Sequence, residues 1–232
     1  MSNATLEHLR QLLNRRGTTP RLRTAGSSEP SPADWLPEHG LSAGEVSEWI
    51  APCDGSGALQ LALSALRLKL SPQARWLVVD STGDFFPAAW EETGFSLSRT
   101  VFLRGLTPEL ALWAVEQSLR SRGVDVVCCR FSKLTSVLGR RLKIAAETGG
   151  SHCLMLRDSN ALRETSWADL RMLVSPRPSP DWMRRRVRLE VLKLRNGVPG
   201  TVAEVELNDE TGVVCLVSQL ADSAPLHRAT GA

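Results

Sequence analysis

Pro52-Cys53-Asp54-Gly55-Ser56-Gly57-Ala58-Leu59 is the stretch whose residue types and spacing come nearest to chemistry. It follows a short apolar run, 46–50, and leads into a Leu/Ala-rich segment, 58–70. Strand, glycine-rich turn and helix is the layout of a phosphate-cradling loop, G-x-x-x-x-G-K-[ST]. The Lys of that loop reaches the β/γ-phosphates and the hydroxyl holds Mg²⁺. Here Pro52 stands at the first Gly position and Gly57 at the second. Ala58 replaces the Lys and Leu59 the Ser/Thr. Gly55-Ser56-Gly57 therefore keeps the shape of the turn without its charge or its metal-binding hydroxyl. Two readings follow. One is weak anion binding by the free N–H groups of a helix N-terminus. The other is a plain strand-to-helix turn.

The flanking elements must hold that loop in place. The segment 58–70 places Leu59, Leu63, Leu66 and Leu70 on one side, with Leu61 and Leu68 widening the stripe, and predicts a well-buried helix. Arg75 to Asp80 is a continuous apolar run ending in an acid, the form of a strand buried on both faces. Thr107-Pro108-Glu109 predicts a helix start by N-cap, proline at the first position and an early acid. That helix is expected to end at Arg122 with Gly123 as its cap. Further strands are predicted at 100–103, 124–130 and 153–157, with helices at 87–93 and 136–147. The alternation predicts an α/β fold with a mostly parallel sheet and right-handed crossovers. After residue 167 the pattern turns to alternating apolar and charged residues with turns at Asn196-Gly197 and 208–212. This predicts an antiparallel meander on the sheet edge. Residues 1–16 read as a helix, 17–34 as a Pro/Gly/Ser linker, 35–218 as the core and 219–232 as a tail.

The chain has 232 residues, 42% apolar, with a net charge of +3, a composition that can bury one large core. There is no apolar run of membrane-spanning length and no signal-peptide pattern, so a cytoplasmic protein with no membrane contact is expected. Five cysteines, an odd number without C-x-x-C spacing, predict free thiols rather than disulfides or a metal site.

The order of elements over about 36–217 resembles the RecA-type ATPase core. Gly40-Leu41 and Gly44 before the first strand look like the family's entry into its P-loop. The segment from Asp80 to Pro87 is similar to its strand-end acidic stretch. Arg188 to Pro199 resembles its closing hairpin. The resemblance places the metal-binding Asp of the Walker B strand at Arg130 and the catalytic Glu at Thr82. ATP hydrolysis needs the Lys, the hydroxyl, that Asp and a carboxylate to orient water. All four are absent at their positions, Asp125 lies too early in its strand, and Asp84 offers only a displaced carboxylate. A pseudo-ATPase with no cofactor is expected.

Among RecA relatives the pattern is most similar to accessory proteins of bacterial damage-induced mutagenesis, the ImuA type. That resemblance implies a role in the SOS response and translesion synthesis. Its partners would be a Y-family-like polymerase subunit, with RecA, single-stranded DNA and a second copy of the chain as further candidates. A RecA-like cell-division inhibitor of the SulA kind is the alternative, and a divergent ATPase the third.

Arg184, Arg185 and Arg186 form the densest basic run, hard to pair locally, and are candidates for DNA phosphate or an acidic partner. Arg140 and Arg141 form a second basic group. Lys193 and Arg195 fall near the hairpin residues that in RecA proteins reach the neighbouring subunit's nucleotide. The opposing reading pairs Arg188, Lys193 and Arg195 with Glu204 and Glu206 across the hairpin. Of seven tryptophans, Trp49 and Trp76 read as core. Trp35, Trp167 and Trp182 lie in loops and read as either partner surface or packed anchors.

Overall fold

The computed structural model describes residues 35–37, 39–179, 183–208 and 212–220. The chain divides into Met1–Pro30 and Ser31–Ala232, and every described residue belongs to the second unit. The terminal helix, the whole linker, Trp182 and all but two residues of the tail lie outside the described residues.

The strands are β1 (Val46–Ala51), β2 (Trp76–Asp80), β3 (Thr100–Arg104), β4 (Val126–Arg130), β5 (His152–Asp158), β6 (Leu170–Arg177), β7 (Arg184–Leu194), β8 (Val202–Asn208) and β9 (Val214–Leu220). The α-helices are α1 (Ala58–Lys69), α2 (Ala88–Glu92), α3 (Pro108–Arg120) and α4 (Ser136–Gly149). One nine-stranded sheet runs β3-β2-β4-β5-β1-β6-β7-β8-β9. β1 to β6 are parallel and β7 to β9 antiparallel, so the expected mixed sheet with an antiparallel C-terminal edge is what forms.

Within the parallel part of the sheet, β2 and β4 read as nearly unbroken apolar runs. β2 and the first four residues of β4 are buried throughout because helices cover both faces. On one face α1 packs Leu61, Leu66 and Ala62 into a core with Trp49, Trp76, Trp90 and the inward residues of β7 and β8. On the other, α3 and α4 pack Val115, Leu119, Leu142 and Ala146 against Leu77, Val127, Cys129 and Met155. Thr107 caps α3 by accepting from the Leu110 amide, as its sequence predicts.

Several details depart from expectation. Leu68 is half exposed, because the buried stripe of α1 centres on Leu61, Ala62, Ala65 and Leu66. α3 stops at Arg120, and the left-handed residue beyond it is Arg122 (φ 55°), not Gly123. Trp35 is buried, a packed anchor rather than a surface.

Candidate functional site

Open α/β sheets bind ligands in the crevice beyond the carboxyl ends of their strands. Such a crevice exists here, a cavity of about 1050 Å³ beyond β1, β4 and β5. It is lined by the loop from Pro52 to Leu59, by Arg130 and Arg157 from strand ends, and by Arg185 from the antiparallel edge.

The loop is built as its sequence suggests. Gly57 takes a left-handed conformation (φ 83°), which only glycine adopts without strain, and hands the chain to α1 with no side-chain cap and no acid in the first turn. A Cβ at Gly57 would lie 2.6 Å from Leu207 Cδ1, so the turn is pressed against β8. Gly55 is also left-handed (φ 75°) but faces open space.

Two guanidinium groups bond to the loop and to the first turn of α1. Arg185 Nη1 donates to the Gly55 carbonyl at 3.0 Å, and its Nη2 donates to Gln60 Oε1 at 2.5 Å. Arg130, at the end of β4, donates to Asp54 of the loop at 3.2 Å and lies over the Phe85 ring. Arg130 therefore stands at the mouth of the site and takes up the loop's own acid. Asp80 is fully engaged. Its Oδ1 accepts from the Gly83 amide at 2.9 Å and its Oδ2 from Arg104 at 3.0 Å. Thr82 does not line the cavity, and its hydroxyl donates to Asp84, which does. Among the described residues no group of three His, Cys, Asp or Glu side chains is placed to hold a metal ion.

Beneath the cavity floor lies a buried ionic cluster that sequence reading did not foresee. Glu48, midway along β1, accepts from Arg157 at 3.2 Å and from Arg171 at 2.9 Å. Arg157 also donates to Glu164 and, at 2.6 Å, to the Phe131 carbonyl. Burying charges is unfavourable unless each is paired and hydrogen-bonded, and here each is. The signal was present as Glu48 inside a buried strand and arginines in β5 and β6. Their pairing depends on β1 lying between those two strands, which no local pattern reveals.

The remaining sequence candidates scatter. Arg184 and Arg186 pair with Glu206 at 3.1 and 3.4 Å, so the run expected to lack local partners is engaged, and Arg185 turns inward to the loop. Arg188 stands opposite Glu204 in the β7–β8 register. Lys193 and Arg195 do not face Glu204 or Glu206. Lys193 donates to the Ser166 carbonyl, and Arg195 bonds Glu147 and Asp169, both at 3.1 Å, because β7 outlasts β8 at that end. Arg140 stacks over Trp167 and Arg141 bonds Glu116.

At the opposite end of the central strands from the loop, Asp169 is shared by Lys143 at 2.6 Å, the Val46 amide at 2.8 Å and Arg195. Burial alone would raise its carboxyl, but these donors hold it below the ordinary range. Nearby His152 is fully buried, and burial lowers it to about 4.

The chain is 28% identical over 119 residues to the cell division inhibitor SulA of Yersinia pestis (strain Pestoides F). The match spans 51% of this chain and 70% of that protein. SulA of Yersinia pseudotuberculosis serotype O:1b (strain IP 31758) matches to the same identity and extent. About half of this chain lies outside the similarity. No family model matches the chain. Among the described residues no helix is long and apolar enough to cross a membrane.

Proposed function

We propose that this protein is a non-catalytic, RecA-like accessory protein of the DNA-damage response that acts by binding other proteins. The observation that carries the reading is Arg130. It sits at the strand end where Mg²⁺ chemistry would need a carboxylate, and it ties down Asp54 of the loop. A cation there repels Mg²⁺, and Arg185 on Gly55 crowds the seat of the phosphates. Ala58 and Leu59 supply neither the Lys nor the hydroxyl. A loop-bearing strand inside a parallel sheet, helices on both faces and a closing antiparallel edge support the RecA-like part. The similarity to SulA supports the SOS setting.

The finer reading is an ImuA-type accessory that binds a Y-family-like polymerase subunit. The half of the chain outside the SulA similarity gives room for a partner surface of its own. The second reading is a cell-division inhibitor, favoured by that same similarity. Two measurements test these. ATP turnover of the purified chain should equal the no-protein background, and turnover clearly above it would sink the non-catalytic reading. Immobilised chain should retain a purified Y-family-like polymerase subunit and not a tubulin-like division protein. The reverse pattern would install the second reading.

A further inference from the structure

The outer surface of α3 and α4 carries apolar side chains that the core does not use. On α3, Leu110 is 52% and Trp113 60% exposed; on α4, Val137 is 70% and Ile144 45% exposed. Single exposed aliphatics are ordinary. An open tryptophan with aliphatic neighbours on two adjoining helices is an apolar patch of the kind that marks interaction sites.

The helix pairing fixes where these residues stand. Arg141 Nη2 donates to Glu116 Oε2 at 2.5 Å across the two helices, so those positions are level. Both helices lead from one parallel strand to the next and therefore run in the same direction. Trp113 lies one turn before Glu116 and Val137 one turn before Arg141, which sets them side by side at the mouth of the inter-helix groove.

The rim of that groove is basic. Glu116 is buried and shared between Arg120 at 2.9 Å and Arg141. Arg140 stacks on Trp167 at 5.3 Å from its centroid. Lys133 is exposed just before α4. The exposed acids that oppose them on the two helices are Glu109, in the first turn of α3, and Glu147, near the end of α4, which is already paired with Lys143 and Arg195.

We propose that the α3–α4 groove docks an amphipathic helix of a partner protein, apolar along one face and acidic along its edges. This rests on the reading that the protein acts by binding partners. A groove between parallel helices receives a third by ridge-into-groove packing, and an apolar seam with charged flanks is the helix-in-groove mode. A second copy would set basic rim against basic rim, which is repulsive. Single-stranded nucleic acid would stack a base on Trp113 but leave the aliphatic Leu110, Val137 and Ile144 uncovered.

The test uses the full chain and a labelled synthetic helical peptide of about 18 residues, long enough for four turns. The peptide has Leu at i, i+3, i+4 and i+7 flanked by Glu, and a control carries Lys in place of Glu. Fluorescence anisotropy should show the Glu peptide binding about tenfold more tightly than the control. Trp113→Ser should weaken it by a further tenfold or more, since buried Trp anchors dominate such interfaces. Trp113 is exposed, so the variant should keep its urea midpoint, which checks that it folds. Equal binding of the two peptides, or of the Glu peptide to W113S, overturns the proposal. So does a concentration-dependent dimer, seen by sedimentation, that W113S abolishes. Retention of a polymerase-like subunit equally by native and W113S chains also overturns the groove assignment and leaves the proposed function standing. Peptide binding without capture of either candidate partner supports the groove and counts against the named partners.

Discussion

Gly57 and Gly55 separate two explanations of the loop. If the turn existed for phosphate, both glycines would serve the ligand. The structure gives them different surroundings. Both have positive φ, but a Cβ at Gly57 meets Leu207 at 2.6 Å, whereas one at Gly55 meets nothing within 4 Å. Gly57→Ala should therefore destabilise by roughly 2–4 kcal/mol, from left-handed strain and overpacking together. Gly55→Ala should cost about 1 kcal/mol, from strain alone. Urea denaturation of the two variants measures this, and equal losses would mean the loop is not the seat of β8. The proposed loss of phosphate chemistry rests on Ala58, Leu59 and Arg130, whose motif positions are local in sequence. Arg185 was not legible as a loop residue. It lies 130 positions from Gly55, and only the fold brings its guanidinium to that carbonyl.

At the level of elements, the sequence declares the strands well because their burial patterns are regular, continuous in some and alternating in others. β2 and β4 carry no alternation, and only a sheet covered on both faces buries such runs. β7 and β8 alternate, and their outward rows pair Arg188 with Glu204 and Arg186 with Glu206. What the pattern hides is which strands are neighbours. β1 joins the sheet between β5 and β6, far from the strand that follows it in sequence. That placement creates the Glu48, Arg157 and Arg171 cluster. Removing the charge from one member leaves buried guanidinium groups short of a counter-ion. Glu48→Gln should lower stability by about 3 kcal/mol. The urea midpoint should fall at an unchanged slope. A loss under about 1 kcal/mol would show that Glu164 alone compensates Arg157.

For the whole molecule, pH is the sharpest probe of how the sheet is assembled. His152 is fully buried at the start of β5, with Nε2 at 2.9 Å from Ser47 Oγ of β1 and Nδ1 at 3.1 Å from the Ser42 carbonyl. Burial lowers its pKa from 6.5 to about 4, with Lys143 acting in the same direction, while the Ser42 contact, Glu45 and Asp169 oppose. Between those two values the unfolded chain binds a proton that the folded chain refuses. Stability is therefore complete above about pH 6.5 and declines as pH falls toward 4. At 1.36 kcal/mol per unit, the full decline is about 3 kcal/mol. Asp169 adds a separate, lower window. Its carboxyl is held below the ordinary value, so its contribution persists above that value and is lost only as pH falls through the depressed one. The order is what matters: the histidine weakens the junction of β5 with β1 before Asp169 is protonated. Urea midpoints measured from pH 7.5 to 4.5 should slope downward for the native chain and lie nearly flat for His152→Gln. If the two curves fall in parallel, the acid sensitivity has another source and His152 is a neutral packing residue.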